Sequence, residues 1–128
     1  MEYNAVELRR RLTRWLTETL VESPPEENTT VFGIGIVEIE SDFQLYLFGA
    51  NQFDEVSNSW AIDPTYKPSD GYIGLGQTGN HFADWSDCLV NVLSALSVIL
   101  ALPEISHSRL SGVPFFVGFD DGDLHRIR

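Results

Sequence analysis

The chain has 128 residues, 43% of them apolar and 12% aromatic, and a formal net charge of −11. That length and composition point to one globular domain over residues 1–128 and exclude a disordered chain. Nineteen acids against eight Lys and Arg disfavour a phosphate-binding surface, so no nucleic-acid partner is expected, and the single cysteine, Cys88, excludes an intramolecular disulfide.

Residues 2–22 carry the spacing of an amphipathic helix, with Ala5, Leu8, Leu12, Trp15, Leu16 and Leu20 at steps of three and four. Arg9, Arg10, Arg11 and Arg14 fall on its other side, where Glu7 to Arg11 and Arg14 to Glu18 have pairing distance. Pro24 and Pro25 stop the helix. The opening Met1–Asn4 lacks a basic stretch followed by an apolar one, so no secretion signal and a cytoplasmic location are expected.

Two strands come next, TTVFGIGIVEIE (29–40) and DFQLYLFGANQF (42–53). The first is apolar on both sides, as a central strand with cover on each face would be. Its Gly33 and Gly35 share one side, which invites close approach by a helix or another backbone. The short polar break at Glu40–Asp42 suits an antiparallel hairpin. Residues 51–82 then lose periodicity but keep Phe53, Trp60, Tyr66, Tyr72 and Phe82 between acids, with short strands expected near 58–62 or 71–75. ADWSDCLVNVLSALSVILAL (83–102) is a helix with Asp84 as its cap and Asp87 in its first turn. Its polar stripe is narrow, which predicts a mostly buried helix against the sheet, with Cys88 in the core. Its longest apolar run, Leu89–Leu102, is broken by Asn91, Ser94 and Ser97 and is too short for a membrane span. The tail forms a strand over 113–119, a turn at Asp121-Gly122 and a short polar strand. The expected class is α+β, a mostly antiparallel sheet packed against an N-terminal amphipathic helix and a buried helix near residues 84–102.

Several strings suggest chemistry and then fail its requirements. Gly74, Gly76 and Gly79 spell G-x-G-x-x-G, but no apolar strand ends at the first glycine and no second strand follows about twenty residues on. DDGD at 120–123 lacks calcium-loop spacing, and His81, His107 and His125 have no ligand partner at metal spacing. Glu38, Glu40 and Asp42 fit a solvated hairpin edge better than an acid–base pair. No catalytic set, metal site or cofactor is therefore expected, and the chain is expected not to be an enzyme.

Between Trp15 and Ser108 stand fourteen acids and one base, Lys67. That imbalance attracts cationic partners and speeds their encounter. The helix-first order, VFGIGIVEIE beside DFQLYLFGANQF, the Trp-containing middle, the DWSDCL helix and the closing FVGFDDGD resemble small bacterial immunity proteins of contact-dependent inhibition and related polymorphic toxin systems. The resemblance covers most of the chain. It implies a protein that binds one cognate toxin domain, often a basic nuclease, and blocks its active site. The 51–82 segment supplies the expected contact set, Asp54, Glu55, Trp60, Asp63, Tyr66 and Asp70, carboxylates for charge and aromatics for burial. Trp60 and Tyr66 have a second reading, as rings that complete the core beneath the loop. The alternative functions are an adaptor or assembly subunit using the Arg9–Arg14 face, and a small-molecule binder using Gly74–Gly79.

Overall fold

The structure, a computed structural model, describes residues 5–40, 42–54, 56, 59–62, 64–68, 71–76, 82–106, 108, 110, 112–120 and 122–128. Helix α1 spans Ala5–Glu22 and strands β1 and β2 span Val31–Ile39 and Asp42–Ala50. After them come the one-turn helix α2 (Ser59–Ile62), strand β3 (Tyr72–Gly74) and helix α3 (Trp85–Ile99). The one-turn α4 (Pro103–Ser106) and strands β4 (Phe115–Phe119) and β5 (His125–Arg126) complete the order. The class is α+β: one sheet, ordered β3-β2-β1-β4-β5, in which every neighbouring pair is antiparallel except β1 with β4.

The apolar stripe of α1 explains its position. Leu8, Leu12 and Leu16 are fully buried against Phe32, Ile34, Ile36 and Leu45 of the sheet, in a core that α3 shares. Glu7 pairs with Arg10 at 2.7 Å, with the Arg11 charge also acting on it, and Arg14 meets Glu18 at 2.8 Å as the spacing predicted. The hairpin of β1 and β2 forms in full register from Val31↔Ala50 to Ile39↔Asp42. Glu40 turns it with φ at 50°, the left-handed value that a two-residue hairpin loop needs.

Helix α3 starts as its sequence demands. The Asp84 carboxylate accepts from Asp87 N–H at 2.8 Å, and Asp87 accepts in return from Ala83 N–H at 3.0 Å. Cys88, Val92, Leu96 and Ile99 are fully buried. The expectation of a mostly buried helix is nevertheless corrected: Val90 is 61% exposed, and Trp85 and Val98 are exposed too. One side of α3 packs on α1 and β4, and no described element covers its outer side, so apolar residues there stay in solvent. Two further expectations change. Of the two stretches expected to hold a short strand, 71–75 does, as β3, while residues 59–62 are helical, and the close approach allowed by Gly33 and Gly35 is made by side chains of β2.

Those glycines form the floor of the sheet's second face. A Cβ on Gly33 would lie 2.4 Å from the Phe48 ring, and one on Gly35 would lie 2.1 Å from the Tyr46 ring. The two rings thus lie flat across β1. Phe48 stacks on Trp60 with centroids 5.6 Å apart, and Trp60 contacts Phe53 and Phe116. With Val31 and Ala50 these make a second apolar cluster beneath α2. Arg126 caps it, its guanidinium 5.9 Å from the Phe53 and Phe116 centroids. No helix among the described residues is long and apolar enough to cross a membrane.

Candidate interaction groove

Three acidic stretches that are far apart in sequence meet at one end of the sheet. The parallel pairing of β1 with β4 puts the last residues of both strands side by side, with Ile36 opposite Phe119. Glu38 follows on one strand and Asp120 on the other, and Trp85 and Leu89 of α3 stand on the helix-covered side. Between these elements runs a groove of about 910 Å³. Its apolar part is Ile36, Val37, Leu89, Phe119 and Trp85. Glu38, Asp120 and Asp123 supply carboxylates at its rim, and all three are exposed.

Trp85 is the unusual member. It is 61% exposed, although its ring stands edge-on to Phe119 at 6.0 Å. Phe119 in turn meets Phe43, and Phe43 meets Phe82, so the exposed indole caps a row of rings reaching into the core. Rigid aromatic residues held this way, with a polar rim, are what protein-binding surfaces use as anchors.

The electrostatics agree with this convergence. Burial pushes the Cys88 thiol up to about 12, and the charges of Asp87, Asp42 and Glu38 push it the same way. Residues from the helix, the hairpin and the end of β1 thus act on one buried point. Asp42 and Asp87 are held by structure: Asp42 accepts from Gly76 N–H at 2.8 Å, and Asp87 accepts from Asn91 at 3.0 Å. Asp120 accepts from the Tyr46 hydroxyl, which reaches it by passing over Gly35. Burial first, and then that bond, raise the Tyr46 phenol well above its ordinary value, so it stays a donor. Glu38 and Asp123 are in no ion pair among the described residues. Among those residues, too, no three His, Cys, Asp or Glu side chains converge on a point that could hold a cation.

The expected contact set is dispersed. Trp60 is 6% exposed in the second cluster, and Tyr66 is 8% exposed on the opposite, helix-covered face of the sheet. Tyr66 has a structural task there: its hydroxyl donates to Ser23 O at 2.6 Å, its ring stands edge-on to Phe32, and its backbone bridges Gly49. Burial pushes its phenol up to about 12. Asp54 is exposed beside Trp60 in a shallow cleft, and its carboxylate accepts from Val56 N–H at 2.9 Å. Glu55, Asp63 and Asp70 lie outside the described residues, as do His81, His107 and Asp121.

The glycine string has a plain explanation. Gly74 ends β3, an edge strand antiparallel to β2, and Gly76 approaches Asp42 so closely that a Cβ would lie 2.9 Å from its carboxylate oxygen. Gly79 lies outside the described residues. No parallel strand leads into the string, so the geometry of a dinucleotide site is absent among the described residues.

Glu38, Asp120, Asp123 and Trp85 were missed as a group because each has a local explanation: strand end, hairpin turn, helix start. The available signal was their common position at the ends of elements. Only the pairing of β1 with β4, which joins residues more than eighty apart, brings them together. In comparisons with known proteins, no family model, no curated protein and no solved structure matches the chain.

Proposed function

We propose that this protein is an immunity protein, one that binds a basic toxin domain and keeps it inactive by covering its active site. The groove at the end of β1 and β4 carries the reading. It offers an exposed indole on an aromatic base, ringed by carboxylates, on a chain of net charge −11. A cationic surface that normally grips phosphates is complementary to such a rim, and this complementarity mainly raises the association rate and selects the partner. Trp85 would supply the desolvated anchor that limits dissociation. In this reading the 51–82 segment supplies further contacts, with Asp54, Glu55, Asp63 and Asp70 carrying charge, while Trp60 and Tyr66 anchor the segment to opposite faces of the sheet. The arginine face of α1 fits an adaptor role less well, since Arg10 and Arg14 are engaged by Glu7 and Glu18.

The test is calorimetry of the purified protein with the toxin domain encoded in the adjacent upstream reading frame. Binding is expected, weakening steadily as salt rises. Absence of binding at both low and moderate salt refutes the proposal.

A further inference from the structure

The two ladders of β1 do not end together. Its pairing with β2 runs to Ile39↔Asp42, whereas its pairing with β4 stops at Ile36↔Phe119. At one end of the β1–β4 ladder Phe32 N–H donates to Pro114 O at 3.1 Å, and at the other Asp120 N–H donates to Ile36 O at 2.9 Å. Backbone groups along a strand address its two neighbours alternately. Even-numbered residues of β1 therefore face β4, and Glu38 carries the next N–H and C=O of that series. By Gly122 the chain has turned back on β4, its N–H donating to Phe119 O at 3.0 Å. The groove occupies the place that a continued β4 would fill, with Glu38 on one wall and Asp120 and Asp123 on the other.

We propose that this groove receives an extended, lysine- or arginine-bearing segment of the partner protein, which adds to the sheet along the edge of β1 at Glu38, where no described residue pairs with it. The inference rests on the reading of the chain as a binder of a basic protein, and it specifies how that binding is made. An added strand gains affinity from main-chain hydrogen bonds and specificity from its alternating side chains. Glu38 shares its side of the sheet with Ile36 and Phe119, so a guest residue beside it points toward Trp85. The next guest residue points to the other side, where Asp120 is held by Tyr46. A cationic side chain thus finds a carboxylate on either face, and on one face an indole for a cation–π contact. A second copy of this chain is a poor occupant, because its own edge brings another Glu38 and another net charge of −11.

The probe is a short synthetic peptide alternating lysine and valine, followed by amide NMR and hydrogen exchange on the intact protein. Two further versions carry N-methyl groups on one or the other alternate set of backbone amides. Binding is expected to shift the Val37, Glu38 and Phe119 amides and the Trp85 indole, and to slow exchange of the Glu38 amide at least tenfold. One methylated version is expected to bind at least tenfold more weakly than the other. Equal binding of both methylated versions, with no protection of Glu38, overturns strand addition and leaves a groove that works by charge. Failure of every version to bind at millimolar concentration overturns strand addition and the basic-partner reading together.

Discussion

Replacing Gly33 with alanine tests the glycine floor on which the second face depends. The new Cβ would lie 2.4 Å from Cζ of Phe48, about 1 Å inside the normal carbon–carbon contact of roughly 3.5 Å. Phe48 cannot swing away freely, because it is 5% exposed and stacked on Trp60 at 5.6 Å. Overpacking of this kind costs about 1–3 kcal/mol, and the stiffer unfolded chain returns about 0.4–1 kcal/mol. A net loss of about 1.3 kcal/mol is expected, a fall in Tm of roughly 4–7 °C for a chain of this length. Urea unfolding followed by tryptophan fluorescence measures it, with Phe48→Leu as partner variant. Because leucine lacks the clashing atom, the double variant should lose less than the sum of the two single losses. A Gly33→Ala protein as stable as the parent, or more so, would refute the close-approach account. Open space beside Gly33 would produce that result.

Trp60→Ala removes the centre of the second cluster and should lose about 3–5 kcal/mol in the same assay, as expected for a buried ring; a loss under about 1 kcal/mol would place Trp60 at the surface instead. Trp85→Ala should change stability by less than about 1 kcal/mol, since the side chain is 61% exposed and meets Phe119 edge-on. The same change should weaken partner binding about thirtyfold or more, measured by calorimetry. Cys88 should make stability fall in alkali. Its folded thiol is pushed up to about 12 from an ordinary value of 9.0, so from pH 9 upward the unfolded chain loses a proton that the folded chain keeps. The loss should reach about 1 kcal/mol by pH 10 and be reduced in Cys88→Ala, before the tyrosines add their own effect. Native protein should also resist thiol alkylation at pH 8 until denatured.

The legible parts of this fold were those that short-range periodicity and turn chemistry determine. The stripe of α1, the β1–β2 hairpin, the Asp84 cap and the apolar strand β4 each depend on residues within a few positions of one another. What was not legible depended on pairing at a distance. The apolar outer residues of α3 suggested cover from a layer that the described structure does not contain. The pair Gly33 and Gly35 did mark a close approach, but sequence does not say that it comes from Tyr46 and Phe48 on the next strand. Trp60 and Tyr66 looked alike in an irregular segment, yet the chain threads them to opposite faces of the sheet. The same long-range step hid the groove: Glu38, Trp85 and Asp120 are each ordinary ends of elements until β1 and β4 pair in parallel.

Hydrogen exchange on the protein with and without the toxin domain from its upstream neighbour tests the proposed interface most directly. The expected result is protection concentrated at 36–39, 85–89 and 119–125, with the outer face of α1 unchanged. Protection confined to the Arg9–Arg14 face of α1, with the Trp85 groove exchanging as freely as before, would contradict it.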